Sequence, residues 1–354
     1  MNTLENYGWD KHFQGHYNKL MKDNFEVGRV ISIKGFKNSL MTNEGELEAE
    51  LSGKLLYGTE AEYLPKVGDW VIFIRYDLIG YIIEVLPRLN ELSRKSPGAK
   101  TDKQVLAANI DYALLVQGLD RDFNIMRLER YLVQIYACNI KPIVILNKAD
   151  LIDDREKYNI EIAKLGRDCP VYFCSTYNQS GIAELKNTVL ERKKTYVLIG
   201  SSGVGKSSLL NSFMDNFNRE TGFISDSTGK GRHITTSRDL FQLPNGSLVI
   251  DTPGMREFGI AFEEGRQPGG LFPVVEKLAA NCKFYDCQHL EEAGCAVIEA
   301  YHSGTLESKV YESYLKLMKE QKHYEIRMED KKRLGKQFGK MIREVREYRK
   351  KYKY

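Results

Sequence analysis

The sequence predicts a multidomain chain with an N-terminal β-barrel that is OB-fold-like, a central α/β P-loop domain, and a C-terminal, mostly helical zinc-binding domain. Three observations predict this. Short β-like runs separated by turn residues fill positions 27 to 86, a strand, glycine loop and helix follow one another around position 200, and three cysteines and a histidine cluster between 282 and 295. The expected domains are an N-terminal arm over 1–24, the barrel over 25–92, the nucleotide domain with its linker over 93–260, and the zinc domain with a basic helical tail over 261–354.

Length and composition agree with this division. A chain of 354 residues is too long for one small core. Its 42% hydrophobic and 28% charged residues are ordinary for a globular protein. No window approaches the ~20 consecutive apolar residues of a membrane span, and the first nine residues lack the apolar core of a signal peptide. A cytoplasmic protein without a membrane partner is therefore expected, and nothing requires more than a monomer. The net charge of +4 is unevenly placed: positions 316–354 hold fifteen Lys/Arg against six Asp/Glu, leaving −5 on the remainder. A basic tail on a mildly acidic body suggests a polyanionic partner.

In the barrel region the strand-like runs are Val27–Ile33, Leu47–Leu51, Trp70–Ile74 and Gly80–Leu86. Their spacing suits a five-stranded OB barrel, and a purely structural β-domain fits the same pattern. The preceding arm carries aromatic and basic residues without a clear period. Positions 87–109 are polar and basic and read as a crossing into the next domain.

The strongest chemical signal is Gly200-Ser201-Ser202-Gly203-Val204-Gly205-Lys206-Ser207-Ser208, which fits G-x-x-x-x-G-K-[ST]. A β-branched run, Thr195–Ile199, precedes it, and a helix-compatible stretch, Ser207–Phe217, follows. In that context the glycines let backbone N–H groups close around phosphate oxygens at a helix N-terminus. Lys206 would neutralise the β- and γ-phosphates and the Ser207 hydroxyl would sit on Mg²⁺. A glycine-rich turn with a chance lysine is the bland alternative.

Upstream, the expected strand Ile140–Leu146 ends in Asn147-Lys148-Ala149-Asp150. This N-K-x-D pattern reads guanine, because a carboxylate at Asp150 can accept both the ring N1–H and the 2-amino group, a pair adenine lacks. Asn147 would tie this loop to the phosphate loop and the Lys148 stem would cover the base. Ser175 and Thr176, after the expected strand Val171–Cys174, suit the loop behind the guanine.

Downstream, the glycine-rich segment Gly229–Ser237 fits a loop ordered by the γ-phosphate, with Thr235 favoured over Thr236 to complete the Mg²⁺ shell. Asp251-Thr252-Pro253-Gly254 closes another strand: Asp251 would hold Mg²⁺ through water and the Gly254 N–H would sense the γ-phosphate. Met255 occupies the position at which many GTPases carry a water-orienting glutamine. His233 is the nearest polar candidate for that catalytic role, and a solvated loop histidine is the competing reading. N-K-x-D precedes the phosphate loop, the reverse of the Ras-like order, so the GTPase domain is circularly permuted.

Cys282, Cys287, His289 and Cys295 form C-x4-C-x-H-x5-C, a donor set for one closed, structural tetrahedral Zn²⁺. The apolar residues Leu334, Phe338, Met341, Val345 and Tyr348 then form a helical stripe amid Lys and Arg, suited to RNA phosphates.

Taken together, the ordered motifs Asn147–Asp150, Gly200–Ser208, Gly229–Thr236, Asp251–Gly254 and the Cys/His cluster resemble the RsgA family of circularly permuted, small-subunit-dependent GTPases. Gln104–Asp111 is also similar to that family's entry into its GTPase domain. The resemblance implies an OB barrel, a permuted GTPase and a zinc domain, with GTP/GDP, Mg²⁺ and the 30S ribosomal subunit with its 16S rRNA as partners. It implies late 30S maturation with turnover stimulated by the subunit. Two departures stand out: Ile234 replaces the first of three usual threonines, and Ser237 precedes Arg238. Rival readings are a GTPase of translation with another RNA partner, a Walker-type ATPase or kinase, and an RNA-binding module whose nucleotide is structural.

Overall fold

The computed structural model describes residues 3–20, 22–35, 37–95, 103–120, 122–163, 165–166, 169–214, 238–251, 272–285, 287–290, 292–308, 310–312, 314–315 and 318. The chain divides into two compact units, Met1–Lys95 with Lys103–Ala261, and Ser96–Asp102 with Phe262–Tyr354.

The first unit opens with helices α1 (Thr3–Asn6) and α2 (Lys11–Leu20), followed by strands β1 (Glu26–Lys34), β2 (Lys37–Thr42) and β3 (Gly45–Leu51), helix α3 (Gly53–Gly58), and strands β4 (Trp70–Tyr76) and β5 (Ile79–Val85). The five strands run in the order β1-β2-β3-β5-β4, and a β1–β4 pairing closes them into the expected barrel. β3 shows why such a sequence makes half a barrel wall. Leu47 and Ala49 point inward and are buried, while Glu46, Glu48 and Glu50 alternate outward. The sequence reading misses β2, whose Lys37-Asn38-Ser39 start is polar, although Leu40 inside it is fully buried.

The expected N-terminal arm packs on the barrel. Leu4 on α1 and Phe13 on α2 are buried with Val27, Trp70, Ile72 and Leu86, so the arm covers outward-facing apolar residues of the barrel. Its aromatic residues show no period because Trp9 and Phe13 meet Trp70 through ring contacts, at centroid distances of 4.8 and 5.8 Å, rather than through a regular helical stripe. The basic crossing over 87–109 is also more ordered than read. β6 (Glu91–Lys95) and β7 (Lys103–Ala108) form an antiparallel pair whose Leu92, Val105, Leu106 and Ala107 are buried between the polar positions.

The α/β part comprises β8 (Tyr112–Gly118), α4 (Ile125–Ala137), β9 (Lys141–Asn147), α5 (Glu156–Ala163), β10 (Val171–Phe173), α6 (Ile182–Glu184) continued by a wide turn to Val189, β11 (Thr195–Ile199), α7 (Lys206–Phe213), β12 (Arg238–Gln242) and β13 (Leu248–Asp251). The strand order is β10-β9-β8-β11-β13-β12. All neighbours are parallel except the β12–β13 pair. The inner strands β8, β9 and β11 read as continuous apolar runs because side chains cover both of their faces. Leu128, Tyr131, Leu132 and Ile135 of α4 pack on one face, and Leu209 and Phe213 of α7 on the other. The side chain of Asn124 caps α4 by accepting from the Arg127 N–H at 3.0 Å.

Barrel and α/β sheet are continuous through β1 and β12, where Ser32 pairs with Asp239. Arg29 on β1 makes a second joint. Its guanidinium is wholly buried and donates to the carbonyls of Tyr7, Gly68 (3.2 Å) and Asn109 (3.1 Å) and to Thr195 Oγ1 (3.0 Å). Burial lowers its pKa to about 10, which leaves it charged at neutral pH. Arg29→Ala is expected to leave these acceptors unsatisfied and to cost about 3 kcal/mol or more. A thermal melt measures the loss, and an unchanged Tm would refute this role.

The second unit holds α8 (Pro273–Ala279) and α9 (Ala296–His302), with the Cys/His cluster between them. Tyr311 donates its hydroxyl to the His289 carbonyl at 2.7 Å and stacks on Tyr301 at 4.5 Å. The expected basic helix over 331–354 lies outside the described residues, so the helical character of this domain is seen only in part.

Candidate functional site

Strands β8, β9 and β11 and β13 all end at one edge of the α/β sheet, the edge where open α/β folds bind ligands. β11 delivers the phosphate loop there, β9 delivers Asn147–Asp150, and β13 ends on Asp251.

The loop conformation requires glycine at two points above all. Gly200 lies so close to β8 that a Cβ would stand 2.3 Å from the Val116 carbonyl oxygen. At Gly205, φ is +96° and a Cβ would stand 2.3 Å from Asn147 Nδ2. That second contact marks the joint between the two loops. Asn147 Nδ2 donates to the Val204 carbonyl at 2.8 Å, and Asn147 Oδ1 accepts from the Thr176 N–H at 3.1 Å. One fully buried side chain thus fastens the phosphate loop, the N-K-x-D loop and the loop after β10. Cys174 beneath it is also buried, which pushes its thiol up to about 12 and keeps it neutral.

Asp150 is exposed and accepts from the Ser175 hydroxyl, so the carboxylate is oriented before any base arrives. Lys148 adopts a left-handed backbone (φ 64°) with Ala149 buried behind it. Lys206 Nζ donates to the Gly200 and Ser201 carbonyls at 2.8 and 2.7 Å, a folded-back pose over its own loop. Ser202, Ser207 and Ser208 are exposed at the mouth. His233, Thr235, Thr236 and Gly254, together with Met255, lie outside the described residues.

Two residues not singled out from the sequence enter the site from the turn after β8. Asp120 accepts from Lys148 Nζ, and this bond holds its carboxyl below the usual range. Asp122 accepts from the Ser201 hydroxyl and, at 2.8 Å, from Arg127 Nη2. The short spacing Asp-x-Asp behind an apolar strand was the available signal. With Lys148 freed, Asp120→Asn is expected to weaken GTP binding about fivefold, the scale of one partly exposed ion pair. Hydrolysis by the bound complex should be retained. Titration of a fluorescent GTP analogue, followed by single-turnover hydrolysis, measures both, and unchanged affinity would remove Asp120 from the site.

In the second unit, the ligand atoms of Cys282, Cys287, His289 and Cys295 all lie within 4.8 Å of one another. His289 Nδ1 is 3.3 Å from Cys295 Sγ and 3.6 Å from Cys282 Sγ, and those two sulfurs are 3.8 Å apart. Spacings of this size suit thiolates sharing one tetrahedral cation with bonds of about 2.3 Å. His289 has a positive φ of 59° that turns its ring into the cluster, and burial lowers its pKa, favouring the neutral form that ligation needs. These residues can hold a metal.

Residues 85–261 match the family model described as RsgA GTPase. The chain belongs to the RsgA family. The "Small ribosomal subunit biogenesis GTPase RsgA 1" of Bacteroides thetaiotaomicron is 40% identical over 347 residues, covering 98% of this chain and 97% of that one. The RsgA of Opitutus terrae, with the same small-subunit description, is 41% identical over 330 residues, 90% of each chain. The crystal structure of YjeQ from Thermotoga maritima superposes with a TM-score of 0.59 at 26% identity, over 84% of this chain and 98% of that one. YloQ, titled a circularly permuted GTPase, gives 0.60 at 27%, over 85% and 96%. This RsgA-family chain is accordingly a GTP-hydrolysing enzyme with a barrel and a permuted GTPase fold. No helix among its described residues is long and apolar enough to cross a membrane.

Proposed function

We propose that this GTPase acts in late maturation of the small ribosomal subunit, binding it in the GTP form and leaving after hydrolysis. The full-length likeness to relatives named for small-subunit biogenesis supports the partner, and the Asn147 Nδ2 to Val204 bond, which welds base reader to phosphate cradle, carries the nucleotide reading. Gly200–Ser208 would wrap the phosphates, with Lys206 leaving its loop carbonyls for the β- and γ-oxygens. Asn147, Lys148, Ala149, Asp150, Ser175 and Thr176 would enclose guanine. Ser207, Thr235 and Asp251 would hold Mg²⁺, which neutralises charge on the phosphates when bound, and Gly254 would sense the γ-phosphate. His233 is assigned the orientation of the attacking water, with Met255 unable to do so. The Cys282/Cys287/His289/Cys295 set would hold one Zn²⁺ as a staple. The chain works as a cytoplasmic monomer, its basic tail on 16S rRNA.

The test is GTP hydrolysis by the protein alone, with small subunits and with large subunits, at two salt concentrations. Stimulation by small subunits only, fading at high salt, is expected. Stimulation by neither, or equal rates in all three, would overturn the assignment and favour a translational GTPase with another RNA partner.

A further inference from the structure

A cavity of about 840 Å³ opens in the first unit where the arm, the barrel and the α/β sheet meet. The arm supplies Trp9 and Phe13, the barrel supplies Arg29 and Trp70, and the first residues of β8 and β9 supply Tyr112 and Lys141. Neighbouring strands β8, β9 and β11 run parallel, so their starts and their ends gather at opposite edges of the sheet. The cavity therefore lies at the edge opposite Gly200–Ser208 and Asn147–Asp150, out of reach of a nucleotide bound there. Its volume falls within the roughly 300–1,000 Å³ of small-molecule pockets.

Its walls are aromatic and its rim is cationic. Trp9 and Tyr136 are partly exposed in it, and Tyr112 is held against the fully buried Tyr196 by ring stacking at 5.2 Å. Two of the rim cations are already committed: Lys194 pairs with Asp111 at 2.9 Å, and Lys193 lies 3.8 Å from Glu5. Asp10, the third acid of the wall, accepts from the His12 and Phe13 N–H groups at the start of α2, at 2.9 and 3.2 Å. Lys141 and Arg192 differ. Lys141 Nζ lies 5.8 Å over the Tyr112 ring, and Arg192 donates to the neutral Asn6 Oδ1 at 3.2 Å. Neither has a carboxylate partner among the described residues. Flat apolar walls beside two uncompensated positive charges suit a flat ring that carries an acidic group.

We propose that this cavity is a second small-molecule site, separate from the nucleotide site, which takes a planar aromatic anion. The ring would lie against Trp9 and Tyr136, and the acidic group would be held in the field of Lys141 and Arg192. Arg29 is not a ligand, because four acceptors of the protein already hold its guanidinium. The arm forms one wall and the strand starts of the α/β sheet another, so an occupant touches both and favours the arrangement in which they are docked. This reading is independent of the small-subunit partner.

The test uses the full chain saturated with GDP and Mg²⁺, with 1-anilinonaphthalene-8-sulfonate, an aromatic sulfonate, as the probe. Trp9 and Trp70 are the two tryptophans of the sequence and both line the cavity, so energy transfer from tryptophan to the probe reports on this site. Saturable one-to-one binding that further GDP does not displace is expected. Lys141→Ala/Arg192→Ala is expected to lower the affinity about tenfold, the scale of two partly exposed charge contacts. Leu89→Glu, which adds a carboxylate at a half-exposed position of the wall, is expected to lower it as well. Intrinsic GTP hydrolysis should be unchanged in both variants, which checks their folding. The inference is overturned if no transfer is seen, if GDP displaces the probe, or if neither variant alters its binding, as a general apolar stain would behave.

Discussion

Gly205→Ala is expected to lower GTP and GDP affinity about 100-fold, far more than the same change two residues earlier. The methyl group would meet Asn147 Nδ2 at 2.3 Å, and the backbone at φ +96° is one that alanine resists. Left-handed strain costs about 1–2 kcal/mol, and displacing Asn147 from the Val204 carbonyl strands a buried donor at about 1–3 kcal/mol. Together these come to about 3 kcal/mol, a factor of about 100. Gly203 provides the comparison. It is also left-handed, at φ +85°, yet nothing lies within 4 Å of its Cβ position. Gly203→Ala should carry the strain alone and lose about tenfold. Calorimetric titration with GDP distinguishes them, and equal losses would mean that the Asn147 joint does not matter to binding.

Removing the metal should have an equally large but separate effect. The purified chain is expected to contain one equivalent of zinc, and Cys282→Ser or a strong chelator should remove it. Structural zinc contributes apparent free energies of about 10–16 kcal/mol to small folded units at neutral pH, far more than two short helices can supply. The cooperative transition of the second unit should disappear from the thermal melt, along with stimulation by small subunits. Intrinsic GTP hydrolysis should survive, because Gly200–Ser208 and Asn147–Asp150 belong to the other unit. Acid should release the metal in the same way. His289 has its pKa lowered by burial, so as pH falls the unfolded ring binds a proton sooner than the folded one, and stability falls with pH. Full retention of the second transition without zinc would refute the staple.

How much of this was legible in advance depends on how local the physics is. The phosphate loop, N-K-x-D and the cysteine spacing are short stretches whose chemistry is carried by adjacent residues, and each could be read where it stood. α4 follows the same local physics, since Leu128, Leu132 and Ile135 repeat at helical spacing and face one sheet. β2 was not legible, because a barrel wall needs only one buried face and its polar residues disguised the single fully buried Leu40. The packing of the arm is hidden from the sequence for a related reason: Phe13 is buried by Trp70, a residue 57 positions away that no local pattern supplies. Asp120 and Asp122 carry no local signal of their partners, because an acidic turn acquires meaning only when Lys148 and Ser201 are brought against it.

By itself, then, the sequence determined the nucleotide class, the permuted motif order and a Cys3His cluster able to hold a metal, because spacing along a chain sets which atoms can surround one ligand. The tertiary structure decided what joins those parts. Arg29 binds the arm, the barrel and β11 through four acceptors spread from Tyr7 to Thr195, and Asn147 locks two loops 57 residues apart. It also decided which residues of the arm, the barrel and the α/β sheet line one cavity. Such contacts depend on strand register and chain reversal, which are set by burial of the whole core and not by any single stretch.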